Sequence, residues 1–255
     1  MIKHAIVTGA ASGIGSDCCK DLLNRGWTVH GLDISNKGLS DLENFAKSIS
    51  QIFHSYVCDV SKSSDVKHVL DKITSIVDVI DALVCSAGIF RAGPLVDMQE
   101  KDFDDLFAIN TKGAWLSIKA TMPLLQNAAA RKRSPRVVVV ASVAAIRPKV
   151  GGGAYAASKV AITQIVKVMA VEMANEGILI NAIAPATVDT PLTQALTANA
   201  TTNQYRVSGS SPLGRVGMPA DVTSVIRFLL SDDASYITGT VIPIDGGTSA
   251  AFRPI

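Results

Sequence analysis

A tyrosine and a lysine four residues apart are the side chains of this sequence best suited to moving a proton. Tyr155 and Lys159 lie early in a segment of helical periodicity that runs to about Glu176. In an α-helix, a spacing of four places both side chains on one face, one turn apart. A phenol has a pKa of about 10 and is a poor base at neutral pH, but a nearby ammonium group favours the phenolate. The pair is therefore a candidate general acid/base.

A serine follows one of the predicted strands. Ser142 comes directly after the apolar run Arg136–Ala141. The carboxyl ends of parallel strands are where open α/β sheets bind their ligands. The Ser142 hydroxyl could there donate a hydrogen bond to a substrate oxygen, although a serine after a strand is by itself more typical of a turn.

A glycine-rich turn predicts the site of a dinucleotide. The segment 8–15 reads Thr-Gly-Ala-Ala-Ser-Gly-Ile-Gly, follows the first predicted strand and opens the first predicted helix. Its glycines, Gly9, Gly13 and Gly15, allow a tight turn, close approach of a pyrophosphate and close helix packing, and the helix N-terminus attracts negative charge. A nucleoside triphosphate loop is not indicated, because no Gly-Lys-Ser/Thr follows.

A carboxylate at the end of the second strand predicts which dinucleotide binds. Asp33 lies 18 residues beyond Gly15, and neither residue 34 nor residue 35 is Arg or Lys. Such a carboxylate accepts hydrogen bonds from both adenosine ribose hydroxyls and repels a 2′-phosphate, so NAD is expected rather than NADP. The alternative is that Asp33 only caps a loop.

The elements that must position these residues alternate between strand and helix. Apolar runs of strand length occur at Ala5–Thr8, Thr28–Asp33, Ile52–Val57, Ala82–Cys85, Arg136–Ala141, Ile178–Ile183 and Val241–Ile244. Helical periodicity occurs between them, as in Ile14–Arg25, Val66–Val77 and Ala220–Leu230. Repeated βαβ units give a parallel sheet between two helical layers. We expect an α/β Rossmann fold of about seven parallel strands, a three-layer single domain over 1–255, with residues 184–219 as a substrate lid.

The composition limits the partners. The 255 residues are 48% hydrophobic and 18% charged, with a formal net charge of +2. This balance gives no reason to expect nucleic acid or an anionic membrane, so a small molecule is the expected partner. The four cysteines form no C-x-x-C pair, the four histidines show no ligand spacing, and no apolar run approaches the roughly 20 residues of a membrane span. We expect a cytoplasmic protein that binds no metal.

Together these motifs resemble those of the short-chain dehydrogenase/reductase family over nearly the whole chain. The resemblance rests on the glycine-rich segment 8–15, the Y-x-x-x-K pattern of Tyr155 and Lys159, Ser142 thirteen residues before the tyrosine, and Asn110 after Ile109. It implies that Tyr155 is the general acid/base and that Ser142 polarises the carbonyl. It also implies that Lys159 binds the nicotinamide ribose and lowers the tyrosine pKa, and that Asn110 holds a water in a proton relay.

The resemblance also implies further contacts. The cofactor-binding set becomes Gly9, Ser12, Gly13, Ile14, Gly15, Asp33, Asp59, Val60, Ala87, Gly88, Tyr155, Lys159, Pro185, Val188 and Thr190. The substrate-binding set becomes Ser142, Ala144, Gly152, Tyr155 and Ala186. Two positions depart from the family pattern: Cys85-Ser86 replaces the usual Asn-Asn, and Ala186 replaces the usual glycine after Pro185.

The function implied is NAD-dependent interconversion of a secondary alcohol and a ketone by hydride transfer, on a substrate such as a cyclic diol or hydroxy acid. Sugar or polyol dehydrogenases and 3-oxoacyl reductases remain alternatives, and a non-catalytic NAD-binding sensor is the alternative outside enzymes. Enoyl reductases of the related branch separate the tyrosine and lysine more widely. The helical segments Lys101–Asn127 and Ala154–Glu176 resemble those through which relatives assemble, which implies a homotetramer.

Overall fold

Seven parallel strands form the centre of the molecule. The structure, a computed structural model, describes residues 2–198 and 209–251. Along the sheet the strand order is β3-β2-β1-β4-β5-β6-β7, and every neighbouring pair is parallel. The strands are β1 His4–Thr8, β2 Thr28–Asp33, β3 Phe53–Val57, β4 Ala82–Cys85, β5 Arg136–Val140, β6 Leu179–Pro185 and β7 Val241–Ile244.

Helices cover both faces of this sheet. They are α1 Gly13–Asn24, α2 Asn36–Ser48, α3 Ser63–Thr74, α4 Glu100–Phe107, α5 Ala114–Ala130, α6 Gly153–Glu172, α7 Pro191–Ala198 and α8 Pro219–Leu229. One apolar cluster joins the sheet to α3, α5 and α6, and a second joins it to α1, α2 and α8. Successive strand residues alternate between the clusters: Ile6 belongs to the first, and Ala5 and Val7 to the second. The period of two along a strand therefore builds two cores.

The predicted single-domain sheet of about seven parallel strands between helical layers is confirmed. The predicted burial on both faces holds for the central strands, whereas β3 and β7 are partly exposed because each has only one neighbour. Ile52 and Ile178, expected to begin strands, lie just before β3 and β6.

The segment expected to be helical over Lys101–Asn127 is helical throughout, but it changes from α-helix to π-helix and back. A π-helical turn, Ala108–Gly113, separates α4 from α5 and carries Asn110. Such turns are rare and occur mostly at functional sites. Hydrophobic periodicity did not predict it, because six residues are too few to show a period of their own.

The described part of the predicted lid contains the end of a strand and a short helix. Its first two residues end β6, and α7 begins at Pro191. The Thr193 hydroxyl donates a hydrogen bond to the Val188 carbonyl 2.6 Å away and lies 2.9 Å from the Thr190 carbonyl oxygen, which stabilises the first turn. This helix is two turns long, too short to establish a period in the sequence. Residues 199–208 of the lid lie outside the described residues.

By length and mean hydropathy, 1.3 over 18 residues, α6 could cross a membrane. Its residues Ala154, Ile162 and Val166 are completely buried, and the last two belong to the core cluster shared with β5 and β6. In this fold α6 is a core helix, and its polar residues Tyr155 and Lys159 face the site described next.

Candidate active site

A cavity of 510 Å³ opens at the carboxyl ends of the strands. It lies at the point where the strand order reverses, between β1 and β4, which is the usual ligand crevice of such sheets. Fourteen of the fifteen predicted cofactor-binding residues line it, together with Ser142 and Ala186. Those fourteen are Gly9, Ser12, Gly13, Ile14, Asp33, Asp59, Val60, Ala87, Gly88, Tyr155, Lys159, Pro185, Val188 and Thr190.

Ser142, Tyr155 and Lys159 all line this cavity. Ser142 caps a 3₁₀ turn immediately after β5, and its hydroxyl oxygen accepts a hydrogen bond from the backbone N–H of Ala144, 3.1 Å away. The Lys159 ammonium nitrogen lies 5.9 Å from the centroid of the Tyr155 ring. A hydroxyl donor, a phenol and a cation thus converge on one space, as acid/base chemistry at a carbonyl requires.

Lys159 is buried, and its burial affects the pKa of its ammonium group. Its ammonium group donates a hydrogen bond to the carbonyl oxygen of Val140 at 3.0 Å. Burial lowers the pKa of Lys159 to about 8. Desolvation is the dominant cause because it disfavours the charged form of any buried amine.

Two glycines of the glycine-rich turn pack too closely on neighbouring backbone to be replaced by residues with a Cβ atom. A Cβ atom on Gly9 would lie 2.6 Å from the backbone nitrogen of Ala87, and one on Gly15 would lie 2.0 Å from the Gly9 carbonyl oxygen. Gly9 and Gly13 have φ angles of +67° and +52°, which favour glycine. Gly15 does not line the cavity, so within the described structure its role is to let the first turn of α1 pack on the loop.

Two carboxylates lie where β2 and β3 end. Asp33 accepts hydrogen bonds from the backbone N–H groups of Ala11 and Ser35, at 3.0 and 2.9 Å, which fix its orientation beside the loop. At Asp59, burial raises the pKa, but hydrogen bonds from Ser61 and Lys62 outweigh it and the net pKa is lowered. Both carboxylates line the cavity.

The side chain of Asn110 is directed into the protein. Its amide nitrogen donates hydrogen bonds to the Ile89 carbonyl and to the Ser158 hydroxyl, both 3.0 Å away, and its oxygen accepts one from the Ile89 N–H at 2.9 Å. Asn110 does not line the cavity. Its two N–H donors are used within the protein, so a water in a relay would have to be held by other atoms.

The comparisons with known proteins agree with this geometry. A family model described as enoyl-(acyl carrier protein) reductase matches residues 9–249. A 3-oxoacyl-[acyl-carrier-protein] reductase, FabG, of Thermotoga maritima is 38% identical over 245 residues, 96% of this chain and 97% of the relative. The chain belongs to the short-chain dehydrogenase/reductase family.

Other members of the short-chain dehydrogenase/reductase family act on differently named substrates. A 2,3-dihydro-2,3-dihydroxybenzoate dehydrogenase of Escherichia coli is 32% identical over 254 residues, covering 97% of each chain. The crystal structure of a levodione reductase matches with a TM-score of 0.90 and 30% identity over 98% of each chain. The family binds a nicotinamide cofactor and acts on alcohol and ketone groups.

The two departures from the family pattern are accommodated locally. Cys85 is buried at the end of β4, and its thiol donates a long hydrogen bond, 3.9 Å, to the Ala114 carbonyl. Burial raises the pKa of Cys85 to about 12, so it remains a neutral thiol beside Lys159. Ala186 lines the cavity, and its N–H donates to the Ile244 carbonyl at 3.1 Å.

Other residues line the cavity but were not predicted to contact the cofactor or the substrate. They are Leu32, Ile34, Ser35, Cys58, Ser86, Ile89, Ile109, Val140, Ala141 and Thr193. Five of them, Ile34, Ser35, Cys58, Ser86 and Ala141, follow a strand by one or two residues, so position after a strand would have identified these five. Two predicted substrate residues, Ala144 and Gly152, do not line the cavity.

Three cations follow β4 and β5, and none of them lines the cavity: Arg91, Arg147 and Lys149. Arg91 forms an ion pair with Asp102 at 3.2 Å and donates to the Phe90 carbonyl at 3.0 Å. Arg147 donates to the Thr248 carbonyl at 2.7 Å. Desolvation lowers the pKa of Lys149. In the part of the chain that the structure describes, no cluster of His, Cys, Asp or Glu could hold a metal ion.

Proposed function

We propose that this short-chain dehydrogenase/reductase is an NAD-dependent enzyme that interconverts a neutral, largely apolar secondary alcohol and its ketone. The observation that carries the proposal is that Ser142, Tyr155 and Lys159 line the same cavity as the glycine-rich turn and Asp33. One cavity therefore has residues for proton transfer and residues for binding a dinucleotide.

The residues present fit a nicotinamide dinucleotide. Gly9 and Gly13 keep the turn free of side chains, and the N-terminus of α1 attracts the pyrophosphate. Asp33 would accept the adenosine ribose hydroxyls and disfavour a 2′-phosphate, which supports NAD over NADP. Asp59 and Val60 would lie against adenine, while Pro185, Val188 and Thr190 would lie near the nicotinamide. When bound, the cofactor supplies or accepts the hydride.

The chain's own residues would manage the proton. The Ser142 hydroxyl would donate a hydrogen bond to the substrate oxygen and orient it towards Tyr155. Tyr155 would remove the hydroxyl proton during oxidation and return it during reduction. Lys159 would stabilise the phenolate by its charge and would bind the nicotinamide ribose.

The surroundings of Tyr155 support a neutral substrate. The charged residues that line the cavity are Asp33, Asp59 and Lys159. The first two belong to the proposed cofactor end, and Lys159 is buried. The lining also includes Ala186, Val188 and Leu192, and Phe90 packs on the Tyr155 ring with centroids 4.8 Å apart. A cyclic alcohol fits these side chains better than a hydroxy acid.

The second candidate substrate class is a 3-oxoacyl thioester. It is favoured by the 38% identity with the 3-oxoacyl-[acyl-carrier-protein] reductase of Thermotoga maritima. Sugars and polyols are less favoured because Ala186, Val188 and Leu192 in the lining are apolar. Enoyl reduction is less favoured because Tyr155 and Lys159 are separated by only three residues.

We propose a homotetramer that acts in the cytoplasm. Val168 and Val171 on α6 are 58% and 75% exposed, and Trp115 on α5 is 37% exposed. Burial of these apolar side chains between subunits would stabilise the assembly. Light scattering of the purified protein tests this, and a 26.7 kDa species would refute it. All four cysteines are buried thiols, as a reducing compartment permits.

A panel of alcohols and ketones, assayed by NADH absorbance with NAD and NADP, tests the function. We expect turnover of neutral cyclic alcohols to exceed that of matched acids, and Tyr155→Phe to lose at least about a hundredfold in kcat while NAD binding is retained. Undiminished turnover in Tyr155→Phe would refute the mechanism. NAD binding with no turnover of any substrate would favour the sensor alternative.

A further inference from the structure

Ser158, between the two reactive residues of α6, is completely buried and carries two side-chain hydrogen bonds. Its hydroxyl donates to the backbone carbonyl of Tyr155 at 2.7 Å. The same hydroxyl accepts a hydrogen bond from the amide of Asn110 at 3.0 Å. Ser158 does not line the cavity, so neither bond depends on a ligand.

The first of these bonds is common, because serines in helices often bond to the carbonyl one turn earlier. The second joins α6 to another part of the chain. Asn110 also forms two hydrogen bonds with the backbone of Ile89, which lines the cavity. A further bond, from the Thr111 hydroxyl to the Ser158 carbonyl at 2.8 Å, joins the same π-helical turn to α6.

We propose that Ser158 is a positioning residue that holds the first turn of α6, and with it Tyr155, against the wall of the cavity formed by Gly88 and Ile89. The proposal rests on the proposed function, since it assigns Ser158 an effect on proton transfer by Tyr155. Buried hydrogen-bonded networks specify one arrangement, because an unpaired buried donor is costly. Loss of the Ser158 hydroxyl would leave an Asn110 N–H without its partner and release the link to Tyr155.

The test compares Ser158→Ala with Thr163→Val. Thr163 is also buried on α6, and its hydroxyl donates to the Val160 carbonyl at 2.7 Å, the same kind of bond within the helix. We expect Ser158→Ala to lower kcat about tenfold, to change KM for NAD less than twofold, and to shift the pH profile of alcohol oxidation to higher pH. Thr163→Val should keep the wild-type kcat and pH profile.

The pH profile separates positioning from general damage. A partly unfolded variant loses active sites without moving the pH at which the rate is half-maximal, whereas a displaced tyrosine loses stabilisation of its phenolate by Lys159. If Ser158→Ala does not yield folded protein, the same measurements are made on Ser158→Cys. Cysteine retains nearly the volume of serine but weakens both hydrogen bonds.

A double-mutant cycle with Asn110→Ala tests the link itself. Because both residues belong to one network, Ser158→Ala should lower kcat less than threefold in the Asn110→Ala background. Additive losses, or a wild-type pH profile in Ser158→Ala, would overturn the inference. If Tyr155→Phe keeps full activity, the proposed function itself fails, so the two failures are distinguishable.

Discussion

The ammonium group of Lys159 donates a hydrogen bond to the carbonyl oxygen of Val140, which lies two residues before Ser142. This bond joins α6, which carries Tyr155, to the end of β5, which leads into the serine. Since both partners are buried, the bond is shielded from water. The distance between the Ser142 and Tyr155 hydroxyls therefore depends on the hydrogen bond from Lys159 as well as on the packing of α6 against β5.

The buried charge of Lys159 predicts opposite effects on activity and stability. In Lys159→Met we expect kcat to fall at least about a hundredfold, because the phenolate loses its cation. The cofactor-free variant should nevertheless resist urea better than the wild type at pH 7, because a desolvated charge is removed. Functional residues are often retained at a cost in stability.

The pH dependence of that stability difference follows from the lysine pKa. Lys159 has a pKa of about 8 in the folded protein, below its ordinary value of 10.5. Between these values the unfolded chain binds more protons, so wild-type stability rises with pH and the advantage of Lys159→Met shrinks. Exposed Lys167 on the same helix provides the control, since Lys167→Met should show no such dependence. A pH-independent difference would contradict the prediction.

Asp33 predicts a change in cofactor preference. Asp33→Asn removes the charge that would repel a 2′-phosphate while keeping the side-chain size, so the ratio of kcat/KM for NADP to that for NAD should rise at least about tenfold. The carboxylate also accepts hydrogen bonds from the Ala11 and Ser35 N–H groups, so stability should fall by about 1 kcal/mol. Asp41→Asn on the exposed side of α2 is the control. An unchanged ratio would show that Asp33 does not select the cofactor.

Three imidazoles on one face of the sheet predict sensitivity to acid. His30 is completely buried, its ring stacks on those of His54 and His4 at 4.9 and 5.8 Å, and its Nδ1 lies 3.4 Å from the Tyr56 hydroxyl. Burial and the neighbouring imidazoles lower the pKa of His30 to about 3. Its ordinary pKa is 6.5, so the stability present above pH 6.5 is lost as the pH falls towards 3.

We therefore expect His30→Leu to unfold at a lower pH than the wild type when acid unfolding is followed by circular dichroism. Leucine cannot take up a proton, and the Nε2 of His30 has no hydrogen-bond partner to lose in the described structure. His68→Leu, on the exposed face of α3, should leave the acid midpoint unchanged. An equal shift in both variants would assign the effect to hydrophobicity rather than to titration.

The sequence predicted the sheet well because its central strands are buried on both sides, and continuous runs of Val and Ile, as in Arg136–Val140, are typical of such strands. The glycine-rich turn and Asp33 line the cavity as predicted, because the turn directly follows β1 and Asp33 ends β2, at the same edge of the sheet. The sequence did not predict the inward orientation of Asn110 or its bond to Ser158. That arrangement depends on a π-helical turn and on contacts between residues 48 positions apart, which no local pattern encodes.

Two glycines with similar backbone conformations predict very different costs of substitution. Gly9 and Gly26 have φ angles of +67° and +79°, so alanine is strained at both. At Gly26 nothing lies within 4 Å of the added Cβ atom, whereas at Gly9 the Cβ would lie 2.6 Å from the Ala87 backbone nitrogen. We expect Gly26→Ala to cost about 1 kcal/mol and to retain activity, and Gly9→Ala to abolish NAD binding in calorimetry because the loop and the β4 end must separate. Equal NAD affinity in the two variants would mean that this close approach does not shape the cofactor site.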